Sequence, residues 1–144
     1  MPDSSPLGRQ IEAAFADAFG YSVDRAGHSQ YLLRYRTSAD ASIGYLFVST
    51  SGKLGLRNDV AATTITSTTS VGSGWHALEF HVVVNGASST TEVWLDGIKV
   101  NDLSIITNLG TGSIGRVQIG EVMSGRTYNV LFDDVIFDIQ QIGP

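Results

Sequence analysis

The chain contains no cysteine, which excludes disulfides, thiolate metal sites and a cysteine nucleophile. The absence does not fix the compartment, because such a chain folds in either redox environment. Charged residues are also scarce, at 16% of the sequence, with a net charge of −5. An acidic chain with scattered basic residues lacks the basic footprint of a nucleic-acid-binding protein. We therefore expect no nucleic-acid partner.

Long hydrophobic runs are missing as well. No apolar stretch approaches the roughly 20 residues that span a membrane, so no membrane partner is expected. The opening residues MPDSSPLGRQ lack a charged region followed by an apolar one, so this chain shows no secretory signal. Its 144 residues suit one domain. A domain of this size buries roughly 68–70% of its unfolded surface, enough for a hydrophobic core.

The first 30 residues differ in pattern from the rest, and they predict an N-terminal helix followed by a loop. Ser5 suits the N-cap, Pro6 the first helical position and Gly20 the residue after the helix. The apolar positions of this segment follow helical spacing; they are Leu7, Ile11, Ala14, Phe15 and Ala18. The sequence thus divides into a helix and loop over 1–30 and a β-rich domain over 31–144.

From residue 31 onward the sequence predicts one short strand after another. Gly-containing turns separate the strands, and the Asp96–Gly97 pair is a strong signal for a two-residue hairpin. Eight or nine such strands predict a mostly β antiparallel sandwich with one N-terminal helix. Its expected core residues are Leu78, Phe80, Val82, Val93, Leu95, Val117, Ile119, Phe132 and Ile136.

The stretch WHALEFHVVVNGASSTTEVWLDGIKV, residues 75–100, carries the clearest alternation. Successive strand residues point to opposite faces, so its aliphatic residues face the core. The opposite face then gathers Glu79, His81, Glu92 and Trp94. An aromatic ring bordered by polar groups suits sugars, because the ring stacks on C–H faces while polar atoms bond hydroxyls. The alternative is a Trp94 that only covers the sheet beside solvated neighbours.

The same residues carry a family resemblance. The segments WHALEFHVVVNG, TEVWLDGIKV, IGRVQIGEV and GRTYNVLFDDVIFD, together with VSTSGKLGLRNDVAATT, resemble concanavalin A-like, laminin-G-like jelly-roll domains of bacterial secreted and surface proteins. The resemblance covers about residues 31–139. It implies two curved antiparallel sheets, an extracellular or cell-surface location, and a non-catalytic module that binds glycans. Such domains supply strands before this region, where the present sequence predicts a helix instead.

We therefore expect a non-catalytic, lectin-like module that binds carbohydrate through Glu79, His81, Glu92 and Trp94. Arg57 and Asn58, at the end of the LGLRN strand, are further candidates for the rim of the site. The alternative function is a structural or assembly module that acts through contacts between copies of the chain.

A glycosidase is a distant third interpretation. Glu79 and Glu92 are carboxylates that can face each other across the hairpin. The chain lacks the Glu-x-Asp-x-x-Glu strand motif of the retaining endoglucanases that share the wider fold, so we expect no enzyme activity.

No cofactor is expected. The segment FDDVIFD supplies three carboxylates, and a Ca²⁺ ion held by one of them with loop carbonyls is the alternative. We favour an aspartate bonded to the amides of a neighbouring loop. The candidate residues are Asp133, Asp134 and Asp138.

A homodimer is the expected assembly. A sandwich that lacks its early strands exposes apolar surface and an unpaired sheet edge, and such edges recruit other chains unless covered. The predicted helix has one narrow apolar stripe, so we expect a symmetric dimer to bury the remainder. A monomer covered by the helix and its loop is the alternative.

Overall fold

The structure is a computed structural model, and it describes residues 8–17, 29–72, 74–120 and 130–138. The described residues form a mostly β fold of two antiparallel sheets, which confirms the predicted sandwich. The strands are β1 (Gly8–Asp17), β2 (Gln30–Thr37), β3 (Ser42–Val48), β4 (Lys53–Asn58), β5 (Thr63–Ser70), β6 (His76–Val83), β7 (Ser89–Leu95), β8 (Ile98–Lys99), β9 (Ile106–Thr107), β10 (Ile114–Ile119) and β11 (Val130–Asp138). A 3-10 turn, η1 (Asn101–Leu103), lies between β8 and β9.

The strands belong to two sheets, one with six strands and the other with five. The six-stranded sheet has the order β11-β1-β6-β7-β8, with β9 also paired to β7. The five-stranded sheet has the order β10-β2-β3-β4-β5. Strands β2 to β5 form a continuous meander, because each pairs with the next through a short connection. No helix in the described part of the chain is long and apolar enough to cross a membrane.

The predicted N-terminal helix is wrong, because residues 8–17 form strand β1. This strand lies between β6 and β11 and pairs with both. Its apolar positions did not distinguish the two structures: Ile11 and Phe15 are four residues apart, a spacing that fits one helix face and also one strand face. Hydrogen-bonded pairing with strands on both sides favours a strand over a helix here, and it leaves Ile11 fully buried. Ser5, Pro6, Leu7, Ala18 and Gly20 lie outside the described residues.

This correction changes the reasoning behind the expected dimer. The sheet position that the sequence leaves open is filled by β1 from the same chain. The unpaired edge inferred from missing early strands is therefore absent at β6, which is paired on both sides.

The core lies between the sheets and includes most of the predicted residues. Five of them are buried: Leu78, Phe80, Val82, Val93 and Leu95. Val117, Ile119 and Phe132 are partly buried and pack against the same cluster. Ile136 is not a core residue: it pairs with Glu12 across the β1–β11 ladder and is 43% exposed. A register shift between Glu12 and Ala14 places Ile136 on the outward side, which alternation along β11 alone does not reveal.

The hairpins on either side of β7 both form. Strands β6 and β7 are joined by the NGASS loop and pair with each other, and the Asp96–Gly97 turn joins β7 to β8. Both turn residues have positive φ, +53° at Asp96 and +79° at Gly97, as a two-residue type I′ turn requires. Aspartate and glycine suit these positions because both tolerate the left-handed region.

Candidate functional site

Four of the predicted site residues lie together on the outward side of the six-stranded sheet. In the β6–β7 ladder Glu79 is opposite Trp94, and His81 is opposite Glu92. Their chain neighbours Leu78, Phe80 and Val93 are buried, so these four side chains point away from the core. With one further residue they form a surface that we call the tryptophan face: Glu79, His81, Glu92, Trp94 and Lys99.

Glu92 is the electrostatic centre of the tryptophan face. One of its carboxylate oxygens lies 3.2 Å from Lys99 Nζ, and the other lies 3.5 Å from His81 Nδ1. The same Lys99 Nζ is 5.7 Å from the centre of the Trp94 ring, within the range of a cation–π contact. The half-buried indole therefore lies beside a carboxylate and within reach of an ammonium group.

The site predicted from the sequence did not include Lys99, although the Asp96–Gly97 turn signal is enough to place this residue. In a two-residue hairpin the residues flanking the turn pair directly, so Leu95 pairs with Ile98 and Trp94 with Lys99. The strong Asp96–Gly97 signal thus determines the position of Lys99 next to Trp94.

Strand β1 extends the tryptophan face on its other side. In the β1–β6 ladder Glu12 is opposite Glu79, and Gln10 holds the register position opposite His81. One row across the sheet therefore runs Glu12, Glu79, Trp94, Lys99. The helix interpretation of residues 8–17 concealed this contribution.

A groove of about 260 Å³ adjoins the tryptophan face at the outer edge of β7. It forms where β8 and β9 pair with the two ends of β7 and leave an interval between them. Its lining includes the charged residues Glu92 and Lys99 and the apolar residues Ile105 and Ile106. Ile106 is 75% exposed, so the groove offers accessible apolar surface as well as charged groups.

Arg57 and Asn58 do not join this site. Asn58 is 4% exposed and fully engaged: its amide nitrogen donates to Thr107 and Asn108, and its oxygen accepts from the amides of Val60 and Ala61. It therefore stabilises a turn and has no free hydrogen-bonding group for a ligand.

Arg57 lies in the other sheet, on its outward side. It is paired with Tyr45 of β3, and its guanidinium donates to Asp59 and Thr64. The sandwich thus separates Arg57 from Trp94, although sequence reasoning placed the two in one site.

A second imidazole lies at the start of β6. His76 Nδ1 is 2.8 Å from Asp96 Oδ2, and its Nε2 is 2.6 Å from the Gly72 carbonyl oxygen. Both of these atoms are acceptors, so the ring satisfies both only as the imidazolium. Burial opposes ionisation of Asp96. The bonds from His76 and from the Ala77 amide, with the charge of His76, outweigh burial and hold the pKa of Asp96 below its usual value of 3.8.

Metal ligation was considered for the aspartates of β11. Among the described residues no group of three or more histidine, cysteine, aspartate or glutamate side chains could hold a metal ion. Asp133 pairs with Ala14 and is exposed, while the side chains of Asp134 and Asp138 lie outside the described ones.

Comparison with known proteins adds no assignment at this point. The sequence matches no protein-family model, and it has no significant similarity to a curated protein.

Proposed function

We propose that the chain is a non-catalytic, lectin-like module that binds carbohydrate on the tryptophan face. One observation carries the proposal: Trp94 lies half-buried on the solvent side of the sheet, with Glu79 directly opposite and Lys99 paired on its other side. Sugars present apolar C–H faces and hydroxyl edges, so an indole bordered by carboxylates and an ammonium group matches both.

The position of Lys99 is compatible with stacking on Trp94. Its side chain is 45% exposed and reaches Glu92 across the hairpin, so it can move off the ring while keeping this ion pair. A sugar that takes its place would stack on the indole and accept a hydrogen bond from the displaced ammonium group. The neighbouring groove would accommodate a second sugar unit against Ile105 and Ile106.

Glu92 suits a binding role. Its two oxygens lie within ion-pair distance of Lys99 and His81. A carboxylate held in this way can accept hydrogen bonds from sugar hydroxyls.

The resemblance of residues 31–139 to concanavalin A-like, laminin-G-like domains supports the proposal, because members of that family often bind glycans. The same resemblance supports a jelly-roll arrangement of the two sheets and an extracellular or cell-surface location for the protein.

The two tryptophans provide a matched test. Isothermal titration calorimetry with a broad set of neutral oligosaccharides should give a heat of binding that Trp94→Ala weakens about tenfold or more, in line with the loss of a buried stacking contact. Trp75→Ala is the control, because Trp75 is 56% exposed and precedes β6. It should leave the affinity unchanged.

Two results would reject the tryptophan face as the sugar site. One is the absence of binding heat for every sugar tested with the folded protein. The other is equal loss of affinity in the Trp75 and Trp94 variants, since that would place the sugar elsewhere.

Assembly through β11 is the second candidate function, and a specific observation favours it. This strand forms the edge of the six-stranded sheet. It presents three consecutive apolar side chains, Val135, Ile136 and Phe137, each about two-fifths exposed. An exposed apolar edge strand is a template for pairing with another chain. Antiparallel pairing of β11 with a second copy would give the homodimer expected from the sequence.

Light scattering at micromolar concentration tests this assembly. A dimer mass that Ile136→Lys converts to a monomer mass would support pairing through β11. A monomer mass for the unaltered protein would reject it, and the carbohydrate proposal would be unaffected because Trp94 lies on a different part of the sheet.

A further inference from the structure

The outward side of the five-stranded sheet carries a row of arginine and aromatic residues. The strand registers align this row across β10, β2, β3, β4 and β5. Its members, in order, are Gln118, Arg34, Tyr45, Arg57 and Thr64. Together with Tyr31, Arg36, Lys53 and Arg116, we call this surface the arginine face.

The arginine face concentrates positive charge on an acidic protein. It holds five of the chain's nine lysine and arginine residues, although the net charge is −5. Among the described residues two carboxylates form ion pairs with this group. Asp40 lies between Arg36 and Arg116, at 3.7 and 3.5 Å, and Asp59 is 3.0 Å from Arg57. The face therefore retains an excess of cationic groups.

Two cations of this surface, Arg34 and Lys53, have no carboxylate partner among the described residues, and Lys53 Nζ is bonded instead to Thr68 and Ser70. The guanidinium carbon of Arg34 lies 4.6 Å from the Tyr45 ring centre and 5.1 Å from that of Tyr31. Its Nε is buried and has no hydrogen-bond partner in the described part of the chain. The residue as a whole is partly exposed, so an anion can approach the outer edge of the guanidinium.

An aromatic layer holds Arg34 in place. The Tyr31 and Tyr45 rings are 4.4 Å apart, and Phe47 meets Tyr45 edge-on at 5.9 Å. Phe47 lies against the backbone of Gly55, where a side chain would overlap its ring, and it is only 5% exposed. The guanidinium is thus stacked on a packed surface rather than extended freely into solvent.

We propose that the arginine face binds an acidic polysaccharide through its carboxylate or sulfate groups. A guanidinium presents a planar fork of donors that matches such oxyanions. Arg34 and Arg57 stand two strands apart, so their backbones are roughly 10 Å apart and lie along one line. A stiff, extended polymer with regularly spaced charges can reach both with little ordering cost.

The same geometry disfavours nucleic acid. Single strands bind by stacking bases on open aromatic rings. Here Arg34 lies over the rings of both Tyr31 and Tyr45, and Phe47 is buried. A base would have to displace the guanidinium in order to stack on that side, whereas an oxyanion can bind the guanidinium directly.

Calorimetry with two polyanions tests the proposal. Polygalacturonate supplies carboxylates and dextran sulfate supplies sulfates, while uncharged dextran measures any binding that needs no charge. We expect at least one polyanion to bind, with Arg34→Gln and Arg57→Gln each weakening it about tenfold. Trp75→Ala is the control, because Trp75 is 56% exposed and lies outside both surfaces; it should keep the affinity within about twofold. Whichever polyanion binds identifies the source of the oxyanion.

Several results would overturn the proposal. These are no binding of either polyanion, an equal loss in Trp75→Ala, or tighter binding of an oligodeoxythymidylate at the same salt concentration. Should Arg34→Gln unfold the domain, Arg57→Gln decides, because this side chain lies at the margin of the aromatic layer. Trp94→Ala must leave polyanion binding intact; if it abolishes binding, the arginine face is not a separate site.

Discussion

The two outward surfaces of the sandwich satisfy their charges in different ways. On the tryptophan face Glu92 contacts both Lys99 and His81, and the surface carries two carboxylates and one lysine. On the arginine face Arg34 is stacked on tyrosines, and its buried Nε has no hydrogen-bond partner among the described residues. The first surface balances its lysine with carboxylates, whereas the second holds five cationic groups and two paired carboxylates.

This difference explains why we assign different ligands to the two surfaces. Exposed ion pairs contribute little stability, but they fix the positions of polar groups around Trp94, which suits an uncharged ligand with many hydroxyls. A guanidinium held against aromatic rings has already lost part of its hydration, so an anionic ligand gains more from it than from a free side chain.

A substitution in the core of β1, the strand next to the tryptophan face, should lower the stability of the protein most. Ile11 is fully buried at the centre of β1. Ile11→Ala should lower the free energy of unfolding by about 2–5 kcal/mol, from lost burial and the cavity left behind. Urea denaturation measures this change. Ile98→Ala is the matched control: Ile98 is 73% exposed, and its replacement should cost less than about 0.5 kcal/mol.

A change beneath the aromatic layer should disturb the arginine face next most strongly. A methyl group at Gly55 would overlap the ring of Phe47. Gly55→Ala should therefore cost about 1–3 kcal/mol, the usual range for overpacking, and should also weaken polyanion binding. Gly72→Ala is the control, because nothing lies within 4 Å of the added atom. Equal destabilisation by both would contradict the close contact between Phe47 and Gly55.

The His76–Asp96 pair, at the end of β6, should give a smaller and pH-dependent effect. Asp96→Asn keeps a residue that tolerates positive φ, but it removes the charge, so it should cost about 1 kcal/mol or less at neutral pH. The folded pKa of Asp96 lies below 3.8. The contribution of this carboxylate is therefore complete above pH 3.8 and disappears as the pH falls through the folded value. Thermal melts of both proteins should converge in acid, and a constant difference would argue against this pair.

Two tyrosines on opposite sides of one sheet should respond differently to loss of the hydroxyl. Burial, with the hydrogen bond to Tyr31, raises the pKa of Tyr45 to about 12. Tyr45→Phe should cost about 0.5–1.5 kcal/mol. Because the folded pKa exceeds the unfolded 10.0, the stabilisation from neutral Tyr45 is present below pH 10 and is lost as the pH rises towards 12.

Tyr35 should show the smallest effect. Its buried hydroxyl has no hydrogen-bond partner in the part of the chain that the structure describes. Tyr35→Phe removes that oxygen without opening a large cavity, so stability should stay the same or rise by up to about 1 kcal/mol. Chemical denaturation of the two phenylalanine variants checks this contrast. A large loss of stability in Tyr35→Phe would mean that the hydroxyl is satisfied after all.

The sequence determined the tryptophan face better than the arginine face, for a physical reason. Glu79, His81, Glu92 and Trp94 lie on two strands joined by a short loop, so alternation alone brings them together. The arginine row spans five strands, and register shifts near Leu33 and Arg36 set its alignment. Alternation within one strand carries no information about such shifts, which depend on pairing with neighbouring strands.

Strand β1 and the position of Asn58 show the same limit. The i, i+4 spacing of Ile11 and Phe15 serves a helix and a strand equally, and only pairing with β6 and β11 resolves it. Asn58 resembles a rim residue in sequence, but its burial follows from the return of residues 107–108 against the end of β4. Both outcomes rest on contacts between distant parts of the chain.

The place of β1 between β6 and β11 also has a consequence for the order in which the protein assembles during synthesis. The β2–β5 meander and the β6–β7 hairpin join neighbouring segments and can form as soon as they leave the ribosome. Strand β1 emerges before both of its partners, and β11 is the last described strand to appear. The hydrophobic side chain of Ile11 therefore stays exposed until β6 and β11 have been synthesised. During this interval a chaperone or a neighbouring nascent chain could bind it.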